Sequence, residues 1–188
     1  MSRNAPAATP PCFQTTPLPG LVVYWPKLHS DDRGLFVKTF HAPSFAAAGL
    51  TFDTREEFYS LSRRGVLRGM HFQIPPHAHA KLVTCLRGRI LDVVVDLRRG
   101  SPTYRQSWSM ELGEESRPVL HVPVGLAHGF LALSEEALVH YRTSTEHNPE
   151  HDRGIRWDSF GFAWPEPQPL VSPRDAAFPA LADFSTQF

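Results

Sequence analysis

The residues of this 188-residue chain best suited to chemistry are its histidines, ten in all. His71, His77 and His79 fall close together, His128 sits in Pro123-Val124-Gly125-Leu126-Ala127-His128-Gly129-Phe130, and His147 lies in Glu146-His147-Asn148-Pro149. A neutral imidazole titrates near the working pH, which suits it to taking and returning protons. A metal site is the rival chemistry, because His77 and His79 share one face of an extended strand and His128 can serve as a third ligand. Metal binding at this spacing also calls for a glutamate shortly afterwards. Here the chain reads Lys81-Leu82-Val83-Thr84, and a cation beside the metal opposes it. No metal is therefore expected. The run Arg89–Leu97 places Leu91, Val93, Val95 and Leu97 on one face and Ile90, Asp92, Val94 and Asp96 on the other. Two aspartates among apolar neighbours read either as a polar pocket with apolar walls or as a solvated outer face.

The elements that must position these groups are short strands. The chain holds 18 prolines, 12 glycines and 13 phenylalanines, with only 20% charged residues. Strand-like segments recur at Leu21–Trp25, Leu35–Phe40, Glu56–Leu61, Leu67–Gln73, Lys81–Leu86, Arg89–Leu97, Gln106–Leu112, Val119–Val122, Gly129–Leu133 and Leu138–Thr143. His29–Gly34 reads as a polar turn, and Pro43–Gly49 is the best helix. This spacing predicts an all-β sandwich or barrel with short helices at the termini. Residues 1–19, with five prolines, read as a flexible arm, and residues 20–188 as one domain whose tail turns irregular from about Pro165. Lys+Arg and Asp+Glu balance at 19 each, which argues against a nucleic-acid-binding face. No apolar run approaches the roughly 20 residues of a membrane span, and no signal peptide is visible. Cys12 and Cys85 alone make no disulfide framework. The expected location is the cytoplasm.

The Pro-x-Gly-x-x-His string resembles the second motif of the cupin superfamily. A wider resemblance covers about residues 21–180. Gly65-Val66-Leu67-Arg68-Gly69-Met70-His71-Phe72-Gln73, Lys81-Leu82-Val83, Asp92-Val93-Val94-Val95-Asp96-Leu97-Arg98 and Ser101-Pro102-Thr103 are similar to motifs of the dTDP-4-dehydrorhamnose 3,5-epimerase family. So are Asp32-Arg33-Gly34-Leu35-Phe36, Gly154-Ile155-Arg156-Trp157-Asp158 and Ser172-Pro173-Arg174-Asp175, all in the family's order. The resemblance implies a cupin-type jelly-roll barrel, a homodimer with shared strands, no cofactor, and a nucleotide-linked 4-keto-6-deoxysugar as substrate. C3 and C5 flank the ketone, so each C–H is acidified by enolate formation. Inversion then needs a base on one face, an acid on the other and a donor for the enolate oxygen.

By resemblance His71 is the base, Asp175 the carboxylate that orients it, and Lys81 the ammonium beside the ketone. Asp92 is a pocket carboxylate supporting His71 or Lys81. Arg68 and His128 bind sugar and pyrophosphate, Arg33 a phosphate, and Phe36 the nucleobase. Glu56, Phe58, Gln73 and Asp152 complete the substrate-binding set.

Four positions depart from the family. His147 stands where the family has its acid, a tyrosine, and Tyr141 lies six positions upstream, too far to substitute simply. Glu56-Glu57-Phe58 replaces Gln-x-Asn, Lys38 a glutamate, and His79 a glutamine. Imidazolium is a stronger acid than phenol by about three to four pKa units. Acid capacity is thus retained while shape changes. Inversion at one carbon only, or a different nucleotide or deoxysugar, is the main alternative. A metal-dependent cupin and a non-catalytic sugar-binding cupin are the others.

Overall fold

The structure is a computed structural model and describes residues 11–188. Thirteen strands and two short helices run in the order β1 (Cys12–Thr15), β2 (Val22–Trp25), β3 (Leu28–Asp31), β4 (Gly34–Val37), α1 (Ala42–Ala47), β5 (Glu56–Arg63), β6 (Leu67–Gln73) and β7 (Lys81–Arg87). They continue with β8 (Arg89–Asp96), β9 (Ser107–Gly113), β10 (Val119–Val122), β11 (Leu126–Ala132), β12 (Glu136–Thr143), β13 (Asp152–Gly154) and α2 (Pro173–Ala176). One antiparallel sheet has the order β1-β2-β10-β7-β12-β5 and the other β13-β6-β11-β8-β9, while β3 and β4 form a separate hairpin. Facing sheets closed around a shared interior give the cupin jelly roll that the resemblance implies.

The interior is apolar where the sheets meet. Val83, Cys85, Leu120 and Val139 from the first sheet pack against Ile90, Val94, Leu112 and Phe130 from the second. Leu91, Val93, Val95 and Leu97, the other face of β8, are covered by Phe160, Phe162, Trp164, Phe184 and Phe188 of the C-terminal segment. That segment has little regular structure, yet it supplies the second sheet with its cover. Phe45 of α1 is fully buried on the outside of the first sheet beside Tyr24 and Leu82.

Several local expectations need correction. A loose arm does not extend to residue 19: Cys12–Thr15 pairs with β2, and Leu18 is buried. The prolines flank this edge strand instead of interrupting it, and an edge position tolerates them. Residues 1–10 of that arm lie outside the described residues. His29–Asp31 is strand, not turn, because it pairs with β4 and leaves only Asp32 and Arg33 at the tip. The first helix sits between β4 and β5, away from the terminus. β13 had no periodic apolar signal to announce it, since it is three residues long and pairs with β6 through backbone alone.

Candidate active site

The mouth of the jelly roll gathers most of the reactive side chains. Strand β6 brings two of them in, and a regular strand could not. Arg68 and His71 are three residues apart, so plain alternation would send them to opposite faces. Pairing with β11 shifts register between His128 and Phe130, opposite Gly69. After that shift Met70 and Phe72 turn outward into the C-terminal cover, while Arg68 and His71 both line the pocket. The shift depends on glycine. Gly69 has φ of +151°, and a Cβ there would lie 2.6 Å from the Cα of Gly129.

His71 Nε2 lies 2.9 Å from Asp175 Oδ1. With the proton on Nε2 donated to this carboxylate, the Nδ1 lone pair becomes the basic one. Asp175 is held in turn: its Oδ2 accepts from Gly69 N at 3.2 Å, and its own N–H donates to Ser172 Oγ, the N-cap of α2. Burial pushes the His71 pKa down, the Asp175 hydrogen bond and charge oppose this, and Lys81 and Arg174 push it lower still. His71 is therefore neutral at neutral pH. Lys81, at the start of β7, is buried and donates from Nζ to His71 O at 3.2 Å. Burial lowers its pKa to about 8, against the charges of Asp152 and Asp92.

Two adjoining hollows of about 170 and 180 Å³ share Phe58, His71 and Lys81. Glu56, His79, Thr143, His147, Asp152 and Arg174 line the first. Ser60, Arg68, His128, Phe130 and Tyr141 line the second. Arg68 donates to Ser62 Oγ at 3.0 Å, and Phe58 stacks on Tyr141 with centroids 4.8 Å apart. Glu56 Oε2 accepts from His147 N at 2.6 Å, which fixes the loop that carries His147. His147 itself is half exposed, its Nδ1 4.0 Å from Asp152 Oδ2.

Four assigned residues line neither of these hollows. Asp92 does not reach His71; it accepts from His128 Nε2 at 2.8 Å and lies beneath the pocket wall. It acts on Lys81 through charge alone. Gln73 is buried and lines neither hollow. Its amide donates to His77 O and Glu146 O, and its Oε1 accepts from Asn148 N at 2.6 Å. Gln73 is thus a strut for the His147 loop, with both its amide nitrogen and its amide oxygen engaged by backbone. Arg33 and Phe36 stand apart on the β3–β4 hairpin, lining a separate hollow with His29, Asp31 and Leu35. Asp96 is also buried, but it holds the β8–β9 turn through Arg98, Ser101 and Thr103.

The histidines offered for metal binding do not form a site. Among the described residues no group of three or more His, Cys, Asp or Glu converges, and His77 instead packs against His151 at 4.6 Å. Arg174 was missed as a site residue. It donates to Asp152 Oδ2 at 2.6 Å and lies over the Phe178 ring, and its place beside Asp175 was the available signal.

The site therefore offers a neutral, carboxylate-oriented imidazole beside an ammonium, with two arginines in the walls. Residues 15–183 match the family model for dTDP-4-dehydrorhamnose 3,5-epimerase. A Mycolicibacterium smegmatis protein of that name is 44% identical over 160 residues, covering 84% of this chain and 80% of its own length. NovW, a 4-keto-6-deoxy sugar epimerase from the novobiocin cluster of Streptomyces spheroides, superposes with TM-score 0.91 at 36% identity, over 96% of this chain and 92% of its own. ChmJ of Streptomyces bikiniensis, a 3'-monoepimerase solved with dTDP-quinovose, gives 0.85 at 34% identity, over 89% and 86%.

Proposed function

The chain belongs to the dTDP-4-dehydrorhamnose 3,5-epimerase family, and from that premise we propose how its own residues carry the reaction. The enzyme epimerises a nucleotide-linked 4-keto-6-deoxyhexose through an enolate, in deoxysugar biosynthesis. In the proposed mechanism His71 Nδ1 removes the proton from the carbon beside the ketone. The electron pair moves onto the C4 oxygen, where the Lys81 ammonium donates to it. Asp175 stabilises the imidazolium that results. As the electron pair returns from the C4 oxygen and re-forms the ketone, a proton delivered to the opposite face from His147 completes inversion. Solvent then reprotonates His147 and takes up the proton held on His71. Every proton and electron pair is accounted for without a redox step.

The 2.9 Å His71–Asp175 pair beside buried Lys81 carries this reading. Incubation in D2O with dTDP-linked 4-keto-6-deoxyglucose tests it, with deuterium at C3 or C5 followed by NMR. No exchange would refute it. Inversion at one carbon alone is the second reading, favoured by the half-exposed His147 where the family has tyrosine.

Taken singly, each of the two adjoining hollows is smaller than the roughly 300–1,000 Å³ that houses a drug-sized ligand, which supports a hexose held here and a nucleotide that extends beyond them. We assign the nucleotide's remaining contacts to Arg33 and Phe36 of a second copy. Phe36 is 62% exposed at the hairpin, and the edge strand β5 presents Tyr59 and Leu61 to solvent. Pairing such edges in a dimer would satisfy both backbone and apolar surface. No helix among the described residues is long and apolar enough to cross a membrane. The proposed location is the cytoplasm, where a reducing environment suits the two free cysteines.

A further inference from the structure

His79 lines the hollow that also contains His71 and Lys81, and both its ring nitrogens are buried without a hydrogen-bond partner. Its neighbours in the chain do not share this condition. His77 reaches Asn148, and His128 reaches Asp92. His79 as a whole is half-buried, but two buried ring nitrogens with no partner are destabilising in the free protein unless a ligand or water answers them. We propose that His79 is a specificity-determining residue that hydrogen-bonds hydroxyl groups of the hexose. The inference rests on reading this pocket as the sugar site.

The choice of hydroxyl over phosphate follows from charge. Burial, followed by the charges of Lys81, His147 and His128, pushes the His79 pKa down to about 2, so the ring stays neutral. A neutral imidazole offers one donor and one acceptor. A phosphate oxygen only accepts, and it is better met by Arg68 or Arg174 in the same walls. A hydroxyl both donates and accepts, which matches what the ring presents.

Calorimetry with dTDP-glucose, which has no ketone and does not react, isolates binding from turnover. His79→Leu is expected to weaken dTDP-glucose roughly three- to tenfold while leaving dTDP unchanged. His79→Gln, which keeps a donor and an acceptor, is expected to restore most of the affinity. The wild type should bind dTDP-2-deoxyglucose or dTDP-3-deoxyglucose more weakly than dTDP-glucose, and His79→Leu should erase that difference. Undiminished dTDP-glucose binding by His79→Leu would overturn the proposal, as would an equal loss for dTDP and dTDP-glucose. The epimerase reading fails separately. Hexose selectivity through His79 without proton exchange from the 4-ketosugar would leave this contact standing and remove catalysis.

Discussion

At the residue scale the proposed mechanism depends on two groups held in opposite protonation states. It needs His71 neutral and Lys81 charged, and burial lowers both pKa values. Proton exchange should therefore fall on the acid side as His71 protonates, below the usual histidine range. It should fall again on the alkaline side near pH 8, as Lys81 loses its proton. Initial rates of deuterium incorporation across pH measure both limbs, and a flat alkaline limb would remove Lys81 from enolate stabilisation. His71→Ala should lower exchange roughly 10²–10⁴-fold with an unchanged melting temperature. Asp175→Ala should cost less, because the base remains and only its orienting partner is lost. His147→Phe should keep exchange at one carbon and lose most of the inverted product. NMR of product stereochemistry beside deuterium content decides this, and unchanged inversion would take the acid role from His147.

At the scale of elements, β8 shows two uses of one face. Asp92 reaches His128 under the pocket, whereas four residues on Asp96 pins the turn to β9. Asp96 accepts from Arg98, Ser101 and Thr103, and these bonds outweigh burial to hold its carboxyl at about 2. A carboxylate whose pKa is depressed in the folded state contributes its stability above the unfolded value and loses it as pH falls toward the folded one. Asp96→Asn should thus lower stability at neutral pH by about 2 kcal/mol, from the size of the shift. The difference from wild type should shrink as the pH approaches 2. Urea denaturation of both proteins at several pH values checks the sign and the convergence.

At the scale of the whole molecule, the proposed dimer completes each site with the β3–β4 hairpin of a second copy. Light scattering at micromolar concentration should give the mass of a dimer, and a monomer would refute shared strands. Mixing two inactive variants tests the same point through activity. Arg33→Ala/Phe36→Ala chains combined with His71→Ala chains should recover about a quarter of wild-type turnover, since half of the dimers are mixed and each of these holds one intact site. No recovery would place the hairpin and His71 in the same chain's site.

Much of the site was legible in sequence because its motifs are local. The Arg68-Gly69-Met70-His71 string, Lys81-Leu82-Val83 and Asp175 specify residue types at close spacing, and strand alternation placed β6, β8 and β10 within a residue or two. What tertiary structure alone decided are partnerships between distant segments. His71 meets Asp175 across 104 positions, Glu56 holds the His147 backbone across 91, and Asp92 chooses His128 across 36. The phase change in β6 belongs there too: two glycine backbones in van der Waals contact need neighbouring strands, and no period within one strand encodes a neighbour. The same holds for His79, whose sequence shows an imidazole. Only the fold buries both of its nitrogens without a partner, because burial is a property of everything packed around a residue.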